Sequence, residues 1–564
     1  MTRPTAALDP ITLEIVQNGL RSITDEAFIA LMKSAYSTNI KERRDHSAAI
    51  MSPRGALVAQ AEHSLPIHLA SMMGLMEALL AKYPPSDIHE GDIFIANDPH
   101  VAGGTHLPDV NMAMPVVVDG TVIAFVCNIA HHADIGGMAP GSMAGGMTEI
   151  YQEGVRIPVV RLFARGALVA DMLDLLLLNV RVPEERRGDY FAQVAACRLA
   201  ERRLRELASV HAPALLEAAF DEIIGRTERR LRAAIRTIPP GRYEFEDVMD
   251  DDGLGTSDIR IKVAITVDGE RITFDFTGTA PQVAGNINLT PIGTRAAACY
   301  CIKALLDPDV PNNQGVLDAI EVVAPEGSIV GARFPAAVAS RAHTCQRIID
   351  VIIGALAPAL PEQAVGAANG ANTTAVFSGV DPRSGRPYVY LETLGGGFGG
   401  RATKDGKDGV QVHITNTSNL PVEAIEMEYP LLVESYGLVE DSGGAGRWRG
   451  GLGLRRVVRP LDHQAVFSGT GERFRTEPWG IFGGAPGASG RFERRSANGE
   501  VERLGNKPAE VTVRPDQAIV METPGAGGYG DPATRAPERL EEDRRSGKFS
   551  VAYLAKHYGA RAPR

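Results

Sequence analysis

An Asp-Gly pair at 119–120, set between two apolar segments, constrains this chain more than any other local feature. Such a pair accepts the left-handed conformation of a tight hairpin turn, so the segments flanking it run back onto each other. Upstream lies NDPHVAGGTHLPDV (97–110) and downstream CNIAHHAD (127–134); together they hold four histidines and three aspartates. The hairpin places His106 and Asp109 opposite the end of the strand that finishes at His131-His132. Imidazole and carboxylate at that density suit a divalent metal.

Register decides which histidine shares a face with Asp109. A two-residue turn pairs Val118 with Thr121 and Asp109 with Ala130, which puts His132 on the aspartate's face. A three-residue loop ending in left-handed Gly120 pairs Val117 with Thr121 and selects His131 instead. The residues alone leave both open. Gly103-Gly104 and Pro108 exclude a regular helix around His106, so the His-x-x-Asp spacing acts as a loop clamp. A His, Asp, His set suits zinc, manganese or iron, with an open position for water. Asp45, just before a strand in Glu42-Arg43-Arg44-Asp45-His46-Ser47, is the best candidate for an additional ligand. Asn97-Asp98-Pro99 reads as a supporting turn.

Around this hairpin the chain reads as α+β and multidomain. Apolar spacing predicts helix over 11–38 and 67–83, with a hairpin between them turning at Ser52-Pro53-Arg54-Gly55. Residues 183–233 are helical by pattern. The stretch 259–278 alternates as strands, with helices expected at 296–306 and 346–356. From 385 onward glycine dominates, and short strands joined by tight turns are expected, followed by a terminal helix or two. These shifts divide the chain into a mixed domain carrying the metal site (1–240), a mixed α/β domain (241–384), a glycine-rich β domain (385–532) and a helical tail (533–564). With 564 residues, about three or four domains are expected.

Several function classes are excluded. A net charge of −11 argues against nucleic acid. The opening MTRPTAALDP lacks a signal-peptide core, and the longest apolar runs fall short of a membrane span. Five cysteines without a CxxC fit a reducing cytoplasm. There is no P-loop and no GxSxG. GGGFGG (395–400) continues into turns rather than a helix, and the spacing of His343 and Cys345 is poor for a nucleophile and its base. The polar run from His413 to Glu428 is a candidate second wall of the site.

The segments NDPHVAGGTHLPDV, HHADIGG, GGGFGGRATKDGKDGV, NTSNLPVEAIEMEYP, DSGGAGRWRGGLGLRR and TPGAGGYGDP together resemble the hydantoinase B/oxoprolinase family. The resemblance covers roughly residues 10–560 and implies a hydantoinase B-like fold. It also implies a division of labour. A hydantoinase A-like ATPase subunit holds ATP and phosphorylates a lactam, imide or ketone oxygen, while the B-type chain carries the metal and completes the reaction in a hetero-oligomer. By that resemblance the metal ligands fall on His106, Asp109 and His131, the glycine-bulged register is favoured, and His132 is left as a supporting or substrate-contacting group. ASRAHTCQR (339–347) departs from the family pattern at Arg341 and His343.

The activity so implied is ring-opening hydrolysis of a cyclic amide. Phosphorylating the amide oxygen removes the nitrogen's donation into the carbonyl and creates a leaving group, and His132 or Asp134 accepts the proton. The alternatives are a component of an ATP-dependent ketone carboxylase and a non-catalytic scaffold for the ATPase.

Overall fold

The computed structural model describes residues 8–559. Most of MTRPTAALDP, read above as lacking a signal peptide, lies outside the described residues, as does the end of the tail. The N-terminal region centres on a seven-stranded antiparallel sheet. Its strands are β1 (His46–Met51), β2 (Leu57–Gln60), β3 (Ile93–Ala96), β4 (Asp109–Val118), β5 (Thr121–His131), β6 (Val160–Ala164) and β7 (Ala167–Leu168), in the order β2-β1-β5-β4-β3-β6-β7. Helices α1 (Pro10–Ser34), α2 (Thr38–Lys41), α3 (His68–Lys82), α4 (Ala170–Leu178), α5 (Pro183–Val210) and α6 (Pro213–Ile235) surround it.

Side-chain alternation assigns the two faces of the sheet. Ile50, Val110, Met112 and Val126 meet Leu13, Val16 and Leu20 of α1 and Val194 and Cys197 of α5. Met51, Ala113, Cys127 and Ile129 meet Met72, Leu75 and Leu79 of α3 on the other face. The predicted helices at 11–38 and 67–83 correspond to α1 with α2 and to α3. α1 begins at Pro10, where Asp9 accepts the backbone N–H of Thr12 as N-cap.

The β4–β5 turn is the tight two-residue form, with Asp119 and Gly120 both left-handed (φ 49° and 75°) and Val118 opposite Thr121. Neither register derived from the turn alone is the one observed. Val117 pairs with Val122 but Val116 pairs with Ala124, so Ile123 is an extra residue in β5. That bulge lies three residues past the glycine and moves every later pair by one position. Asp109 therefore faces His131.

The second sheet, in the order β11-β10-β9-β8, comprises β8 (Gly241–Asp251), β9 (Ser257–Asp268), β10 (Arg271–Asp275) and β11 (Glu321–Val323). Helices α7 (Pro291–Leu306), α8 (Gln314–Asp318) and α9 (Ala342–Leu356) accompany it. Its Ile261, Val263 and Phe274 share one core with α9, α7 and α3.

Two further sheets form a sandwich. One is β13-β12-β16-β19, from β12 (Thr373–Val380), β13 (Pro387–Leu394), β16 (Ala465–Thr470) and β19 (Val511–Val513). The other is β14-β15-β20-β17-β18, from β14 (Leu431–Leu438), β15 (Leu454–Pro460), β17 (Arg491–Ser496), β18 (Val501–Arg503) and β20 (Gln517–Glu522). Phe377 and Tyr390 of the first pack against Phe492 and Met521 of the second. The division expected between 384 and 385 falls in the turn joining β12 to β13.

The glycine-rich segments are not, for the most part, the turns of short strands. They are extended loops stacked backbone on backbone: a Cβ on Gly450 would lie 1.8 Å from the Ala526 carbonyl oxygen, and one on Gly525 the same distance from that of Ser442. Helices α11 (Pro537–Arg545) and α12 (Val551–Tyr558), which follow α10 (Val422–Glu428), cover these loops through Leu540 and Leu554. All five cysteines are buried and free. Among the described residues no helix is long and apolar enough to cross a membrane.

Two glycines dock the loop before His106 onto α3. A Cβ on Gly103, whose φ is 72°, would lie 2.1 Å from the backbone carbonyl carbon of Gly74. Gly120 is also left-handed but has no neighbour within 4 Å of its Cβ position. Gly120→Ala is expected to cost about 1 kcal/mol of stability. Gly103→Ala carries that cost plus a backbone collision, so urea unfolding midpoints should place it well below Gly120→Ala.

Candidate metal centre

The site lies on the α3 face of the first sheet, where β1, β4 and β5 end. Period-two alternation carries Asp45 and Ser47 onto this face at the start of β1, and the Ile123 bulge brings His131 opposite Asp109. His106 comes from the loop before β4. Asn97 holds that loop, donating from its side-chain amide to the carbonyls of Leu107 and Val155. Asp98 accepts the N–H groups of His100 and Val101. These two residues form the supporting turn expected of them.

His106, Asp109 and His131 are buried, and each offers a ligand atom within 4.8 Å of the other two. The backbone fixes the chemistry of His106. Its Nδ1 lies 2.8 Å from the carbonyl oxygen of Ala339, which can only accept, so Nδ1 carries the proton and Nε2 presents a lone pair. That Nε2 is 3.1 Å from Asp109 Oδ1, and neither atom has a hydrogen-bond donor among the described residues. Two buried acceptors facing each other are unfavourable unless a cation lies between them. The residues present therefore fit a divalent metal.

The surrounding charges favour the same protonation states. Burial pushes the Asp109 carboxyl up, but attraction to His106 and to the Arg341 guanidinium outweighs it and holds the group well below its ordinary value; with His106 Nε2 bearing only a lone pair, Arg341 is the charge that persists. Arg341 Nη2 donates to Asp109 Oδ2 at 2.7 Å, and Thr105 donates to the same oxygen at 3.1 Å. Burial lowers His131 well below the ordinary imidazole value and also lowers His106, with Arg341 adding to the effect there. An ionised carboxylate and two neutral imidazoles result, as metal ligation requires. The His106 and His131 rings are 5.0 Å apart.

Asp45 lies outside this set of three but lines the same cleft. Its Oδ2 is 3.4 Å from Arg43 Nη2 and its Oδ1 4.0 Å from His68 Nε2, while His68 Nε2 is 3.8 Å from Asp109 Oδ2. Ser47 Oγ holds His68 Nδ1 at 2.8 Å. Burial raises the Asp45 carboxyl more than Arg43 and His68 lower it.

His132 and Asp134 are not brought to the cluster. Alternation points His132 at the opposite layer, where its Nε2 is 3.0 Å from Gln193 Oε1 on α5 and its ring packs on Tyr190. Asp134 is bound by the Arg181 backbone N–H and Nη1, both at 2.9 Å, and by the N–H groups of Gly136 and Gly141. Both residues brace the loop that follows β5.

The cleft is small and tightly lined. Beyond the first sheet, Arg341, Asn372, Thr393, Thr415 and Thr417 line it. The polar run after His413 thus contributes two threonines, whereas His413 itself pairs with Asp350 at 3.2 Å. Sequence reasoning singled out Arg341 only as a departure from a pattern and did not find Glu153. Glu153 Oε1 accepts the N–H groups of Val338 and Ala339 at 2.6 and 2.7 Å, and so anchors the segment that ends in the Ala339 carbonyl bonded to His106. Only the fold connects these residues.

A buried His, Asp, His set between an N-terminal sheet and a C-terminal β-sandwich is a candidate metal site within a mixed α/β fold. Comparison with known proteins narrows it further: residues 9–532 match the family model for hydantoinase B/oxoprolinase, and the chain belongs to that family. An uncharacterized protein of Methanocaldococcus jannaschii is 36% identical over 98% of this chain and 96% of its own length. The B-type chain of a putative D-/L-hydantoinase from a Pseudomonas species is 32% identical over 98% and 95%. The crystal structure of an ATP-dependent caprolactamase from Pseudomonas jessenii superposes with a TM-score of 0.93 at 28% identity, covering 98% of this chain and 96% of that one.

Glu153 provides a pH test. Burial pushes its carboxyl from the ordinary 4.5 up to about 8, despite the two N–H groups it accepts. The native state thus keeps a proton that the unfolded chain releases, and stability from this group falls as pH rises from about 4.5 to about 8. Glu153→Gln cannot titrate. Relative to wild type, its urea midpoint should improve steadily between pH 5 and 8; a relative decline over that range would mean that the ionised carboxylate is the stabilised form.

Proposed function

We propose that this chain is the metal-bearing, B-type component of an ATP-dependent cyclic amide hydrolase, completing the ring opening of a substrate phosphorylated on a hydantoinase A-like partner. The observation that carries the reading is the facing pair of donor-less acceptors, His106 Nε2 and Asp109 Oδ1, beside His131. Kinship with the B-type chain of a putative hydantoinase and with an ATP-dependent caprolactamase supports the cyclic amide class. A partner that binds ATP accounts for the lack of a P-loop in this sequence, and free cysteines suit a cytoplasmic location.

His106, Asp109 and His131 would hold zinc, manganese or iron, which supplies Lewis acidity toward the substrate oxygen. Arg341 and Thr105 keep Asp109 ionised and oriented, while Ala339 and Glu153 fix the His106 tautomer. The proton released as water adds to the activated carbon passes to the Asp45–His68 pair, which lines the cleft, rather than to His132, which points into the α5 layer, or to Asp134, which Arg181 holds. Asp45 is thus proposed as a proton acceptor more readily than as a fourth ligand. Breaking the C–N bond of the adduct, with a proton delivered to nitrogen, opens the ring to an acyl phosphate, which a second water hydrolyses to the carboxylate and phosphate.

The test is co-purification with a hydantoinase A-like partner and an ATPase screen over hydantoins, 5-oxoproline, lactams and ketones. ATP turnover stimulated by a cyclic amide and indifferent to bicarbonate is expected, with Asp45→Asn lowering kcat about a hundredfold. Turnover that requires a ketone and bicarbonate would replace hydrolysis by carboxylation.

A further inference from the structure

Across the cleft from the His, Asp, His set stands a buried cation whose donors are largely unused. Arg43 is fully buried. Its Nη2 donates to Thr393 Oγ1 and lies 3.4 Å from Asp45 Oδ2, but Nε and Nη1 have no acceptor among the described residues. Three guanidinium N–H groups are therefore left without partners on a buried side chain, and buried charged donors in that condition cost more than any other polar group. Thr417 Oγ1, also buried on the cleft wall, has no partner either. Two unpaired donor side chains from separate segments open onto one small space.

The charge balance points the same way. Arg43 pairs with Asp45 and Arg341 with Asp109 in the lining of the cleft, so two cationic groups balance two acidic ones. A divalent ion on His106, Asp109 and His131 would leave the cleft at least doubly positive in a low-dielectric enclosure. A neutral cyclic amide does not compensate that charge. A compact oxyanion does, and it also accepts the unused N–H and O–H groups.

We infer that Arg43 and Thr417 form an oxyanion subsite beside the metal ligands, which takes a phosphoryl or carboxylate group carried by the reacting species. This deepens the proposed function and rests on it for the metal. Arg43 then acts as a specificity residue: the cleft accepts the charged, activated form of the substrate and disfavours the neutral one. The two anionic sources differ in consequence, since a phosphoryl group belongs to hydrolysis of an activated amide and a carboxylate or bicarbonate to carboxylation.

The experiment is calorimetric titration of the full chain, loaded with its metal, using inorganic phosphate and, separately, bicarbonate as probes, with metal content and unfolding midpoint measured on every sample. Phosphate binding is expected, weakened at least about tenfold in Arg43→Gln and about threefold to tenfold in Thr417→Val at unchanged metal content. Arg43→Lys should retain part of the affinity, and it stands in with Thr417→Val if Arg43→Gln does not fold. Bicarbonate bound more tightly than phosphate would support the subsite with a carboxylate as its occupant. A metal-loaded protein that binds neither anion, or variants that bind phosphate as wild type does, would overturn the inference. A chain that takes up no metal yet shows the same Arg43 dependence for phosphate would keep the subsite and remove the metal reading.

Discussion

The pairing of Asp109 with His131 is the constraint on which the site depends. It is fixed by a single extra residue, Ile123, inserted eight residues earlier in the same strand. Because side chains alternate across a sheet, one position of slip exchanges the two histidines of the His131-His132 pair between the α3 face and the α5 face. One face is a polar cleft and the other a helix-packed core layer. Burial of Val126 and Cys127 on opposite faces ties the register to both cores, so the geometry of the candidate ligands is held by apolar packing some distance away.

Onto that strand pair the fold brings groups from distant parts of the chain. Arg341 sits at the entry to α9, Asn372 and Thr393 at adjoining ends of β12 and β13, and Thr417 in the loop beyond. The contact is sealed by Met143 and Ala139, in the loop after β5, packing against Val376 and Leu391 of the C-terminal sheet. Each metal-facing atom is set by a group behind it: Ala339 for His106, Arg341 and Thr105 for Asp109. This layering leaves His106 Nε2 and Asp109 Oδ1 exposed only to each other.

The parts of this arrangement legible in the sequence are those encoded by local pattern. Spacing revealed α1 and α3, the Asp119-Gly120 turn announced the β4–β5 hairpin, and His106 and Asp109 declared themselves by their loop context. The choice of His131 over His132 came from family resemblance and not from the strand, because an isoleucine within an apolar run gives no sign that it is a bulge. The glycine-rich half looked like strand turns, since composition cannot distinguish a glycine needed for its conformation from one needed to let two backbones touch. Arg43, Glu153, Arg341 and Thr417 owe their placement to tertiary contacts alone. His132 and Asp134 drew notice by proximity in sequence, whereas their side chains are engaged in packing and loop bracing.

The central claim is that His106, Asp109 and His131 hold a divalent metal. Elemental analysis combined with X-ray absorption on the purified protein tests it most directly. About one equivalent of zinc, manganese or iron is expected, in a shell of nitrogen and oxygen donors only, and lost in His106→Ala and Asp109→Asn while the fold persists. Less than about a tenth of an equivalent in the wild type, or a metal shell unchanged by both substitutions, would contradict the account.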